Sequence, residues 1–153
     1  MPARFVDGGP GAAGRDPRDL DADVARAVAA LRGLGVAPGD RVVLSCEPSV
    51  DTVVAYLAIR AAGAVVVPAN TAYTERELRH IVDDVRPVLA VASDRNRFTG
   101  LVDEAVLPSA LTTGGPVNVL DGVAQLFRRP DDPAMIAYTS GTTGAPKGAV
   151  LSA

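Results

Sequence analysis

The sequence predicts an α/β fold, a partial parallel sheet flanked by helices. Three observations point there. Segments with apolar residues at helical spacing alternate with short apolar runs of strand length. One run, Ala64 to Val67, is apolar at every position, the pattern of a strand buried on both faces of a parallel sheet. Another, Ala134 to Tyr138, leads into a loop rich in Gly and Thr, and open parallel sheets bind ligands beyond the carboxyl ends of their strands.

Taken in order, residues 1–18 are rich in Gly, Pro, Arg and Asp and read as a poorly ordered lead-in. Leu20, Val24, Ala27, Val28, Leu31 and Leu34 then repeat at helical spacing, with Gly33 and Gly35 as stops. Pro38-Gly39-Asp40 is a turn before a strand over Arg41 to Ser45. A second helix starts near Ser49 and runs to Ala62, stopped by Gly63, and the apolar strand 64–67 follows. Thr74 and Glu77 form a capping box, so a third helix begins there and ends before Arg86-Pro87. Val88 to Ala92 is the next strand. Over 93–130 the pattern suggests a short helix near 100–106, an extended piece near 117–120 and a helix near 121–127. Strand and helix alternation calls for right-handed crossovers, and no linker divides the chain into two domains.

The chain has 153 residues, 48% hydrophobic and 22% charged, which suits a globular core of ordinary size. Its net charge of −3 argues against nucleic acid as a partner. Arg95, Arg97 and the Arg128-Arg129 pair read as solvated loop charges. A single cysteine, Cys46, excludes an internal disulfide framework and reads as a small, partly buried apolar residue. The single histidine, His80, falls in the third helix and reads as a surface or packing residue. No apolar run reaches the length of a membrane span, and the N-terminus lacks the apolar core of a secretory signal, so a cytoplasmic location is expected.

The densest chemical signal is Tyr138-Thr-Ser-Gly-Thr-Thr-Gly-Ala-Pro-Lys-Gly-Ala-Val-Leu-Ser152. Gly141 and Gly144 let successive backbone N–H groups point into one concavity, which suits phosphate oxygens. Thr139, Ser140, Thr142 and Thr143 add hydroxyls, one of which could also ligate magnesium. Lys147 adds a mobile positive charge. The Walker A spacing fails: Pro146 stands five residues after Gly141, Ala149 five after Gly144, and Lys147 precedes Gly148 instead of Ser or Thr. A dinucleotide-type G-x-G-x-x-G is also absent. This is a phosphate loop of another kind.

The string resembles the phosphate-binding signature of the adenylate-forming enzymes, which include acyl-CoA synthetases, nonribosomal peptide synthetase adenylation domains and luciferases. It matches the pattern Tyr-Thr-Ser-Gly-(Thr/Ser)-Thr-Gly-x-Pro-Lys-Gly-(Val/Ala) at every fixed position. The resemblance extends upstream through Gly35-Val-Ala-Pro-Gly-Asp-Arg-Val-Val43, through Tyr56 to Asn70, and through Thr71-Ala-Tyr-Thr-Glu-Arg-Glu-Leu78. Within the acyl-CoA synthetases, Asn70-Thr-Ala-Tyr-Thr74 and Arg129-Pro-Asp-Asp-Pro-Ala134 are most similar to malonyl-CoA synthetases.

The resemblance implies that residues 19–153 form an incomplete amino-terminal α/β portion of an AMP-binding domain. It implies an ATP-dependent carboxylate–CoA ligase: ATP and a carboxylate give an acyl-adenylate and pyrophosphate, and coenzyme A takes the acyl group. Thr139, Ser140, Gly141, Thr142, Thr143 and Gly144 would cradle the ATP phosphates, Lys147 would neutralise the departing pyrophosphate, and Thr142 is assigned to magnesium. The catalytic set would not be complete in this sequence, because the family's adenine, ribose and carboxylate contacts and its mobile lysine-bearing domain lie further along. The isolated chain is therefore expected not to catalyse adenylation, and to expose a sheet edge and apolar surface. The other readings are a stand-alone weak nucleotide or pyrophosphate binder, and a structural half of a split enzyme that pairs with the missing carboxy-terminal portion. A short dicarboxylate such as malonate is the substrate suggested by residues 70–73.

Overall fold

The structure, a computed structural model, describes residues 17–114, 131–139 and 147–152. Six strands form one sheet in the order β4-β3-β1-β2-β5-β6. They are β1 (Arg41–Ser45), β2 (Val65–Pro68), β3 (Leu89–Ala92), β4 (Ala105–Val106), β5 (Pro133–Thr139) and β6 (Lys147–Ser152). Helices α1 (Pro17–Gly33), α2 (Val50–Ala61) and α3 (Glu75–Val85) flank it. The strands β1 to β5 run parallel, and β6 adds an antiparallel edge. The sequence reading did not anticipate that edge strand.

The central strands explain the layering. Val42 to Ser45, Val65 to Val67 and Leu89 to Ala92 are buried at every position. Alternate side chains enter opposite cores, as the strand period requires. Val42, Leu44, Val66, Leu89 and Val91 join Leu20, Val24, Val28 and Leu31 of α1 and the buried stripe of α2. Val43, Val67, Ala90 and Ala92 meet Leu78, Ile81 and Val85 of α3 together with Phe98. The sheet is thus covered by α1 and α2 on one face and by α3 on the other.

Local chemistry fixes the helix ends. Ser49 caps α2, its Oγ accepting from the Thr52 backbone at 3.1 Å. At the far end Gly63 takes φ 85°, its N–H donates to Arg60 and that of Ala64 to Ile59, both at 3.0 Å. This is the Schellman closure that the expected glycine stop implied. The same closure ends α1: Gly35 has φ 88°, and the N–H groups of Gly35 and Val36 donate to Arg32 and Leu31 at 3.0 Å. It corrects one expectation. Leu34 is not part of the apolar stripe; it sits at the cap and is 42% exposed, while Val36 is the buried residue. The third helix starts at its capping box, with Thr74 Oγ1 accepting from the Glu77 backbone at 3.4 Å and Glu77 Oε2 accepting from the Thr74 N–H at 2.7 Å. It ends at Arg86, left-handed at φ 48°. There the Arg41 guanidinium covers the last carbonyls, donating to Val85 at 2.9 Å and Arg86 at 3.2 Å.

Two further expectations change. Residues 100–106 are not a helix. A 3-10 turn over Arg95–Phe98 leads into Gly100 at φ 72°, and Ala105 and Val106 pair with Ala90 and Val91 as β4. Arg97 is not a solvated charge: it is half-buried and donates to the carbonyls of Thr71 and Tyr73, anchoring the connection from β2 to α3. Arg95 is exposed, as expected. The expected lead-in 1–18 is too long by two residues, since Pro17 and Arg18 open α1. Residues 1–16, the elements expected at 117–120 and 121–127, and Arg128-Arg129 lie outside the described residues.

Thr74→Ala removes the cap and should lower unfolding stability by about 1 kcal/mol in urea denaturation. The Thr74 backbone N–H, then its hydroxyl, hold the Glu77 carboxyl below its usual range. A depressed carboxylate stabilises above its unfolded value of about 4.3. That contribution is lost as pH falls through the lowered folded value. Glu77→Ala should therefore be less stable than the unaltered chain at pH 7, with the difference closing on acidification below about pH 5.

Candidate functional site

The candidate site lies where β5 turns into β6. Thr139 ends β5, Lys147 begins β6, and the two are cross-strand partners in the ladder. Directly opposed residues of this kind have Cα atoms about 4.5–5.5 Å apart. Both residues are exposed. Because β5 runs parallel to β2, Thr139 emerges on the same side of the sheet as the carboxyl ends of β1, β2 and β3. That is the side on which such sheets bind ligands. Ser140, Gly141, Thr142, Thr143 and Gly144, and with them the magnesium assignment of Thr142, lie outside the described residues. The structure brings together the two ends of the expected site, a hydroxyl and an ammonium.

What holds those ends is a cluster that sequence reasoning missed. Tyr138 pairs with Gly148 across the ladder, one step from Thr139 and Lys147. Its phenol donates a hydrogen bond to the Asp84 carboxylate on α3. Its ring meets that of His80 edge-on, with centroids 6.4 Å apart at 81°. Partial burial, then the Asp84 hydrogen bond and charge, push the Tyr138 phenol above its usual range, so it stays a donor at neutral pH. Ile136 and Tyr138 both pack against the core beneath α3. The sequence signal for Tyr138 was its place at the head of the motif. Asp84 carried none, because acidic residues on an exposed helix face are ordinary.

Gly148 is glycine for a steric reason. An added Cβ would lie 3.0 Å from Ile136 Cγ2, 3.1 Å from Tyr138 Cζ and 3.2 Å from Tyr138 Oη. The ring occupies the space a side chain would need.

The other candidates fall away from the site. Cys46 is half-buried and its thiol donates to the Val91 carbonyl at 3.4 Å. Burial pushes the thiol up, outweighing the lowering by hydrogen bonds to Ser93, so it is a packing residue and not an activated nucleophile. A cleft of about 460 Å³ between the end of α3 and residues 101–103 is lined by Asp83, Arg86 and Asp103. It opens beside the start of β3, away from the carboxyl ends. Among the described residues no cluster of three or more His, Cys, Asp or Glu could hold a metal, and no helix is long and apolar enough to cross a membrane.

Comparison with known proteins gives a consistent picture. The family described as AMP-binding enzyme matches residues 18–153. The chain is 36% identical over 113 residues to nonribosomal peptide synthetase acrB of Aspergillus aculeatus, covering 72% of this chain and 7% of that protein. It is 30% identical over 132 residues to oxalate–CoA ligase of Arabidopsis thaliana, covering 77% of this chain and 26% of that protein. Among solved structures, ATP-bound MatB from Rhodopseudomonas palustris superposes with a TM-score of 0.78 at 34% identity, covering 92% of this chain and 30% of MatB. The chain therefore spans a third or less of each of these relatives. The mixed sheet flanked by helices matches the fold of the amino-terminal subdomain of adenylate-forming enzymes.

Gly148→Ala should lower stability by about 1–3 kcal/mol, since the methyl group must displace Ile136 or a tethered ring. Gly33→Ala, at the end of α1 with nothing within 4 Å of the added carbon, should be neutral or slightly stabilising. Urea midpoints of the two variants, measured side by side, check the contrast.

Proposed function

The chain belongs to the AMP-binding enzyme family, and from that premise we propose that residues 139–147 form the polyphosphate site of an enzyme that activates a carboxylate with ATP. The observation that carries this reading is the pairing of Thr139 with Lys147 at the carboxyl side of the sheet. The donor set fits the ligand: a hydroxyl and a mobile ammonium suit phosphate oxygens, and the intervening sequence adds Ser140, Thr142, Thr143 and two glycines. Thr139 to Gly144 would bind the β- and γ-phosphates, with Thr142 as the magnesium ligand. Lys147 would offset the charge that develops on departing pyrophosphate, an electrostatic and positioning role. The ATP-bound state of MatB supports the choice of nucleotide.

The finer reading is an acyl-CoA ligase, with coenzyme A as acceptor and a small carboxylic acid as substrate. The likeness to oxalate–CoA ligase supports it and favours a short dicarboxylate. The second reading, adenylation within a peptide synthetase, is favoured by the likeness to acrB. Both use the same phosphate site and differ in the acceptor. The remaining contacts of the nucleotide, the carboxylate pocket and a cytoplasmic location belong to this proposal as well.

Titration of the chain with magnesium-ATP by calorimetry tests the shared core. Lys147→Ala should weaken binding by about ten- to a hundredfold, the scale of a lost charge-assisted hydrogen bond. Equal affinity in the two proteins, or no binding by the unaltered chain, would remove the assignment.

A further inference from the structure

Among the described residues the β5–β6 hairpin joins the rest of the sheet through β5 alone, which runs beside β2. β5 shares a single register pair with β2, Val66 with Met135. Ala134 is buried, and Arg60 donates to the Pro133 carbonyl at 3.5 Å, so the start of β5 is held. The far end is different. Among the described residues β6 pairs only with β5, and it is exposed at every position. What reaches the loop end is Tyr138, which touches α3 through Asp84 and His80 and covers Gly148 on β6. Ile136 also lies between the α3 core and Gly148, but Tyr138 makes the link nearest the loop, one ladder step from Thr139 and Lys147.

We propose that Asp84 is a positioning residue for the phosphate loop, acting through the Tyr138 hydroxyl to hold the loop stem in one place. Its carboxylate accepts the phenol proton's hydrogen bond and fixes the ring torsion. The fixed ring then sets where Gly148, and with it Lys147, can lie. Because Gly148 has no side chain, the ring can rest directly on β6. Asp84 touches no substrate; its effect is on the angle at which the stem leaves the sheet. The inference rests on the phosphate-site reading above for its functional meaning.

Hydrogen–deuterium exchange of the full chain, without ligand, tests it in Tyr138→Phe, Asp84→Ala and Asp84→Asn. Loss of the donor or the acceptor should speed exchange about three- to tenfold in the ladder segments 135–139 and 147–151, the scale of one net hydrogen bond. Exchange in α1, β1 and α2 should stay unchanged. Asp84→Asn keeps an acceptor oxygen and should restore the hairpin nearly to normal. Magnesium-ATP affinity should fall in the first two variants and recover in Asp84→Asn. Unchanged exchange in the hairpin, an equal rise throughout the chain, or Asp84→Asn as disruptive as Asp84→Ala would overturn the tether. If the unaltered chain binds no magnesium-ATP, the phosphate reading fails, while the exchange comparison still decides the tether.

Discussion

Burial of the central strands on both faces is the constraint on which the rest of the structure depends. Val42 to Leu44, Val65 to Val67 and Leu89 to Ala92 have no polar face to give to water. Parallel strands of this kind are stable only between two helix layers. The chain meets that need by returning from β1 to β2 through α2 on one side and from β2 to β3 through α3 on the other. The carboxyl ends of all these strands then fall on one side of the sheet. The site inherits its position from that arrangement.

At the margin of the sheet the logic changes from burial to pairing. β5 still contributes Ile136 and Tyr138 to the core beneath α3, but β6 contributes no buried residue. Val150 and Leu151 are 64% and 49% exposed, so the hairpin carries apolar surface on its outer strand. Order at the loop end depends on cross-strand hydrogen bonds and on a few side-chain contacts. Such an element can hold a ligand-binding loop between fixed stems, and it gains least from the hydrophobic effect.

Much of this was legible in the sequence. The capping box at Thr74, the Schellman glycines and the all-apolar strands are local signals, and each produced the element it announced. The misreadings share a cause. Leu101, Val102, Ala105 and Val106 have the spacing of an amphipathic helix, yet Leu101, Val102 and Ala105 pack on one core and Val106 on the other around a short strand. Tertiary pairing with β3 decided their fate. Strand β6 was invisible because burial patterning needs a buried face, and it has none. The candidate site was legible as chemistry in the motif, whereas the Tyr138–Asp84 hydrogen bond beside it is a contact across 54 positions in the chain.

The central claim is that a polyphosphate sits between the stems Thr139 and Lys147 of this hairpin. Backbone amide NMR of the chain, titrated in turn with magnesium-pyrophosphate, magnesium-ATP and adenosine, tests it directly. The account predicts shifts clustered at residues 138–148 for both phosphate ligands and none there for adenosine. Shifts centred on the cleft between α3 and residues 101–103, or a response at 138–148 to adenosine alone, would contradict it.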